Sequence, residues 1–169
     1  MSGLPELLKT RRSIRSFKDE TIPLRMIEEI VDCARFAPTA RNEQPWIFIV
    51  TRNKDNLQAL ADIVSPNGAF LREANACITV FCKDTKYYLE DGASAIVYIL
   101  LAAWDKGIGS CWIAGDKKPY CEIVRRRLNV SGEYKLIGLV ALGYPESIPL
   151  KEKKDLKDIL FLEEFGRCI

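Results

Sequence analysis

Histidine is absent from this 169-residue chain. A Ser-His-Asp triad and a Cys-His nucleophile pair are therefore excluded. The six cysteines, Cys33, Cys77, Cys82, Cys111, Cys121 and Cys168, contain no C-x-x-C pair. With no histidine beside them, the usual zinc patterns are missing too, and no metal is expected. Charge of one sign is also lacking: 25 basic against 23 acidic side chains leave a net charge of +2, which argues against a dedicated nucleic-acid binder. The longest apolar stretch, residues 93–104, falls well short of the roughly 20 residues of a membrane helix. The first twelve residues are polar and amphipathic and do not read as a signal peptide. A cytoplasmic protein with reduced thiols, several of them buried, is the expectation, with no membrane partner. Catalysis in such a chain must rest on carboxylates, lysine, tyrosine, cysteine, backbone amides or a cofactor.

What is present suits one domain spanning residues 1–169. Hydrophobic residues make up 48% of the chain, enough for a real core at this length. Pro5 opens a short helix to residue 10. Apolar Leu24, Ile27, Ile30, Val31 and Ala34 recur at helical spacing from residue 22 to about 37, where Pro38 ends the run. Residues 46–51 and 77–82 read as strands. Residues 55–64 read as a helix, and 65–68 as a turn. The longest helix is expected over 91–106, apolar on most sides and so central, with Asp91 in its first turn and Gly107 and Gly109 stopping it. A strand at 110–114, a helix at 119–128, a strand at 135–142 and a terminal strand near 159–162 complete the pattern. Helices alternating with central strands favour a layered α/β or α+β domain.

Four groups could carry chemistry. Arg11, Arg12, Ser13 and Arg15 put three guanidiniums and a hydroxyl into five residues, and arginine binds phosphate through a planar fork. The plain alternative is that basic residues favour a helix C-terminus. Thr39, Asn42 and Gln44, after Pro38, offer side chains that suit the polar edge of a flat ring, or an ordinary turn. Arg41 is a loop cation, and Trp46 reads as core. Gly107, Ile108 and Gly109 begin like a dinucleotide fingerprint, but Trp112 occupies the third glycine position and the segment follows a helix, so that reading fails. Ala114 and Gly115 behind it offer a backbone that a planar ligand could approach closely. Lys153 and Lys154 matter only if the fold brings them to the Arg11 corner.

These motifs, together with Leu142, Gly143, Tyr144 and Pro145, occur in the order found in the nitroreductase family of FMN-dependent NAD(P)H oxidoreductases, which the chain closely resembles from Arg11 to about Phe165. The resemblance implies an α+β fold of three layers: a central mixed, mainly antiparallel sheet with helices on both faces, in an intertwined homodimer with an FMN at each of two interface sites. By position, Arg11, Arg12, Ser13 and Arg15 would contact the phosphate, ribityl chain and ring edge. Pro38, Thr39 and Asn42 would approach from the other subunit. The Ala114 N–H would point at flavin N5 with Gly115 beside it, and Lys153, or Lys154, would reach the phosphate. Residues 151–169 would extend to the partner.

The implied activity is ping-pong hydride transfer from NADH or NADPH through N5 to a nitroaromatic, quinone or similar small acceptor, with the flavin carrying the chemistry and no catalytic side chain. An FMN-binding storage or sensing protein is the alternative. The chain departs from the family at Ala114, where some members carry an acid, and at Lys153, where arginine is more usual. It also leaves little room between residues 64 and 76 for the lid helices of larger relatives.

Overall fold

The computed structural model describes residues 3–167; Cys168 lies outside them. In chain order the elements are α1 (Leu4–Thr10), α2 (Leu24–Ala34), β1 (Trp46–Thr51), α3 (Lys54–Ile63), β2 (Ala76–Lys83), α4 (Tyr88–Asp105), β3 (Gly109–Ala114), α5 (Cys121–Arg127) and β4 (Tyr134–Gly143). The four strands form one sheet in the order β1-β2-β4-β3, every neighbouring pair antiparallel. The parallel component is a single bridge between Ser13 and Ser110.

Strand β2 is buried along its length except for Lys83, as a strand covered on both faces must be. Its side chains alternate between two cores. Cys77 and Phe81 face α3, α5 and the Ala69–Glu73 3-10 turn, whereas Ala76, Ile78, Val80 and Cys82 face α2 and α4. Helices on both faces of one sheet give the three layers expected. Strand β4 follows the same alternation with one break. Leu136, Leu139 and Ala141 enter the first core, Ile137, Val140 and Leu142 the second. The change of parity coincides with a register shift opposite Val80 and Phe81, where Ile137 is an extra residue. A bulge of this kind bends the strand and re-aims what lies beside it.

Helix α4 is the longest, 18 residues, with Ala95, Ile96, Ile99, Leu100 and Ala103 buried against the sheet. Helix α2 ends at Ala34, short of the expected residue 37, because the chain already turns through Arg35 and Phe36 before Pro38, a residue that disfavours helical backbone just before it. The terminal strand expected near 159–162 does not form. A 3-10 turn at Leu156–Asp158 is followed by irregular chain in which Ile159, Leu160 and Leu162 stay exposed. The tail's local packing is Phe161 against Phe165, ring centroids 4.8 Å apart. Trp46 lies partly buried against the α2–α4 core, as expected.

Among the described residues Cys33, Cys77, Cys82, Cys111 and Cys121 are free thiols. Burial pushes Cys77 and Cys82 up to about 12, the latter with help from the Asp91 charge, so neither is a thiolate near neutral pH. No described helix is long and apolar enough to cross a membrane.

Candidate functional site: a cationic cleft at the free edge of the sheet

Residues 11–17 leave α1 and run along the outer edge of β3. Two side chains staple them down. Ile14 (1% exposed) fills the space beside Gly109, where an added Cβ would come within 2.8 Å of it, and Phe17 fills the corresponding space at Gly143. The Ile14 N–H donates to the Ser110 carbonyl at 2.9 Å. With Ile14 and Phe17 turned inward, the polar residues between and before them are presented outward. The R-R-S-I-R pattern is therefore an anchor flanked by ligand-facing groups.

Arg11, Arg12, Ser13 and Arg15 line a cleft of about 210 Å³ together with Pro149, Lys151 and Lys153. Residues 149–153 are extended, so alternate side chains share one face. Lys151 and Lys153 enter the cleft, and Glu152 and Lys154 are not among its lining residues. The alternative assignment to Lys154 is thereby corrected to Lys151, which sequence reasoning passed over. The signal was there, in the i, i+2 spacing after Pro149. None of the five cleft cations forms an ion pair among the described residues.

The three arginines differ. Arg11 Nη1 is shielded from solvent and has no hydrogen-bond partner. A buried guanidinium nitrogen left unpaired is costly, and an anionic oxygen in the cleft would satisfy it. Arg12 folds back on α1, donating from Nη1 to the carbonyls of Lys9 (2.7 Å) and Arg11 (2.9 Å). Part of its role is therefore the helix-terminus one. Arg15 sits with its guanidinium carbon 5.7 Å from the centre of the Phe70 ring. Cys111 lies beneath, its thiol raised by burial against the opposing pull of Arg15, Ser13 and Arg11.

From Ser110 to Ala114 the free edge of β3 runs for about 14 Å. The Gly115 N–H donates to the Ile137 carbonyl at 3.1 Å, and Ala114 is paired with Gly138. Antiparallel hydrogen bonding alternates, so the Ala114 N–H and C=O face away from β4. The Tyr120 hydroxyl takes the Ala114 carbonyl, which leaves the N–H as the donor on an exposed stretch of edge. Beside it Tyr88 donates to Asp116 Oδ1 at 2.9 Å, a bond that helps push the Tyr88 phenol up to about 12.

Gly115 has a different reason from the one expected. An added Cβ there would lie 2.7 Å from the Ile137 carbonyl carbon and 2.8 Å from the Gly138 nitrogen. The missing side chain makes room for the bulged backbone of β4, not for a planar ligand. Gly138 likewise accommodates the Trp112 indole.

Pro38, Thr39 and Asn42 are not brought to this cleft within the chain. Pro38 lies beside Glu90, Ala93, Ser94, Val97 and Tyr98, in the first half of α4, and the Ala40 N–H donates to Asp91 Oδ1 at 2.9 Å. Asp91 is 4% exposed; it holds this loop as well as standing in the helix's first turn. At the other end of α4, Trp104 Nε1 donates to Thr10 Oγ1 at 3.1 Å, next to the arginines. Thirteen residues of helix separate the two attachments by roughly 20 Å. The loop is also backbone-strained: Arg41, Asn42 and Gln44 all have positive φ, between 48° and 58°, a conformation costly for residues other than glycine. Gln44 Nε2 donates to Asn42 Oδ1 at 3.1 Å.

A cluster of cations around an orphaned guanidinium nitrogen, with a lone backbone donor about 14 Å along the same edge, suits an elongated ligand with an anionic head and a flat polar ring. FMN has that form, and the residues present fit it.

Comparison with known proteins points the same way. The sequence profile of the nitroreductase family matches residues 8–88 and 67–144. A protein of Methanothermobacter thermautotrophicus whose name proposes an NADH dehydrogenase/NAD(P)H nitroreductase is 35% identical over 150 residues, covering 85% of this chain and 78% of the relative. An iodotyrosine deiodinase of Thermotoga neapolitana is 26% identical, over 86% of this chain and 90% of its own. Among solved structures, an FMN-dependent nitroreductase of Clostridium difficile R20291 superposes with a TM-score of 0.89 at 28% identity, covering 96% of this chain and all of its own.

Proposed function

Because the chain belongs to the nitroreductase family, we propose that it is an FMN-dependent oxidoreductase that draws electrons from NAD(P)H and passes them to a nitroaromatic, quinone or similar small acceptor. When bound, FMN supplies hydride acceptance and donation at N5, which allows donor and acceptor to use one face in turn, by a ping-pong mechanism. The observation that carries the reading is the cation cleft and the Ala114 N–H on one continuous edge.

Arg11, Ser13 and Lys153 bind the phosphate: Arg11 through its unpaired buried nitrogen, Lys153 as a point charge, Ser13 through its hydroxyl. Arg12 closes the cleft while capping α1. Arg15 lies towards the ring edge. The Ala114 N–H donates to N5, and Tyr120 keeps the neighbouring carbonyl occupied. No side chain has to titrate, in keeping with a chain that has no histidine.

The site needs a second copy. Pro38, Thr39 and Asn42 stand at the opposite end of α4 from the arginines, so a two-fold pairing of antiparallel α4 helices would bring one subunit's loop to the other's cleft. An apolar groove of about 550 Å³, lined by Leu4, Leu8, Phe36, Tyr98 and Leu101 among others, lies over α1 and α4. Burial of such a surface favours association. Residues 151–169, with their exposed leucines and Phe165, extend onto the partner. Tyr98→Glu, which puts a charge into that groove, is expected to shift the protein from dimer to monomer in sedimentation and to strip its flavin. A variant that stays dimeric with full FMN would remove α4 from the interface.

The function itself is tested by the absorption spectrum of the purified protein, followed by anaerobic NADH and then NADPH. Flavin bands that bleach are the expected result. Bands that persist with both donors favour a storage or sensing protein. If added FMN does not bind at all, the reading fails.

A further inference from the structure

The cleft holds more positive charge than a flavin phosphate needs. Arg11, Arg12, Arg15, Lys151 and Lys153 line it with no carboxylate among them, and none is neutralised by an ion pair among the described residues. A phosphomonoester carries at most about two negative charges at neutral pH, so roughly three positive charges remain. Like charges gathered in one cleft repel one another, and that cost persists unless a second anion shares the site. The arrangement is also sorted. In the extended segment 149–153, Lys151 and Lys153 enter the cleft and Glu152, between them, does not. A solvated tail has no need to separate its signs in this way. Arg11, Ser13 and Lys153 account for the first phosphate. Lys151 is left at the exposed rim, with the charge of Arg12 behind it.

We propose that Lys151 and the rim of this cleft recognise a second phosphoryl group, the adenosine 2′-phosphate of NADPH, and that the protein therefore prefers NADPH to NADH. The inference rests on the FMN reading above. The two dinucleotides differ only in that phosphate, so any discrimination must come from groups that meet it. The nicotinamide end is taken up at the ring, beside Ala114. The adenosine end of so long a molecule extends back towards the solvent-facing rim, where residues 149–153 lie. Lysine is well suited there, because a flexible point charge at an exposed position can follow a ligand that arrives and leaves every turnover. The contact is screened, so the preference weakens as ionic strength rises.

Two measurements on the FMN-loaded protein test this, with flavin content recorded first from absorbance. By steady-state kinetics, kcat/KM for NADPH is expected to exceed that for NADH about tenfold or more at low salt, and Lys151→Ala to bring the ratio close to one with flavin content unchanged. Lys151→Arg retains the preference. By calorimetry, adenosine 2′,5′-bisphosphate is expected to bind at least about tenfold more tightly than adenosine 5′-monophosphate, and Lys151→Ala to abolish the difference. Equal use of both dinucleotides by a protein full of flavin overturns the proposal and leaves the FMN reading intact. A Lys151→Ala variant that loses flavin and both donors equally also overturns it, by assigning Lys151 to the flavin phosphate. Failure to bind FMN overturns the underlying reading, and this proposal with it.

Discussion

Gly115→Val is expected to unfold the protein rather than to blind the flavin. The new side chain would begin with a Cβ 2.7–2.8 Å from three backbone atoms of Ile137 and Gly138. Backbone in the middle of a sheet cannot step aside as the tip of a flexible side chain can. Relief requires β3 and β4 to separate at the bulge, which would also break the Gly115 N–H to Ile137 carbonyl bond. Overpacking alone costs typically 1–3 kcal/mol, and a lost hydrogen bond adds about 1 kcal/mol. A penalty of about 3 kcal/mol or more is a large share of a domain's usual 5–15 kcal/mol. Urea unfolding of the flavin-free protein measures it, and Gly115→Ala should show a smaller loss in the same direction. A valine variant as stable as the parent, yet slow to be reduced by NAD(P)H, would restore the view that this glycine exists for close ligand approach.

Arg11→Ala should do the reverse, lowering FMN affinity about 10- to 100-fold while leaving the apo fold intact. Arg11 makes no side-chain ion pair or hydrogen bond among the described residues that its loss could break, and its Nη1 is buried and unpaired. Hydrogen bonds to charged groups contribute about 1.5–3 kcal/mol, which converts to that range of affinity. Removing an unsatisfied buried donor relieves a desolvation cost, so the apo unfolding midpoint should hold or rise. Binding sites commonly trade stability for function in this way. Fluorescence titration with FMN, alongside denaturation of the apo protein, reads both quantities. Parallel loss of folding and binding would make Arg11 a structural residue. Arg12→Ala serves as a contrast, because its guanidinium also caps α1 and its loss should touch both.

Much of this was visible in the chain alone, for local reasons. The six residues of β1 show themselves as an unbroken apolar run, and α4 shows itself by length and by the glycines after it. Ile14 marks the anchor of the arginine segment because it is the lone apolar residue among four polar ones. Other features were not legible. The tail's apolar residues spell a strand at 159–162, yet no edge of the chain's own sheet receives them. Lys151 looks like one of three similar lysines until the backbone is known to be extended there. Gly115 reads as an opening for a ligand because sequence records a missing side chain and not what occupies the space.

Sequence alone determined the composition of the site and the class of chemistry open to it. The absence of histidine excluded triads and pushed catalysis towards a bound cofactor, and the spacing of arginines, serine and lysines supplied the means to hold an anion. Periodicity did the same for the layers of the fold, since burial on one face writes itself into every second or every third to fourth residue. Only the tertiary structure decided which groups meet. It set the Ala114 N–H free by fixing the register of β3 on β4, filled the Gly115 space with a bulge, sorted Lys151 and Lys153 from Glu152, and put the Pro38–Asn42 loop at the far end of α4 from the arginines. Each of these depends on contacts between residues tens of positions apart, which no local pattern encodes.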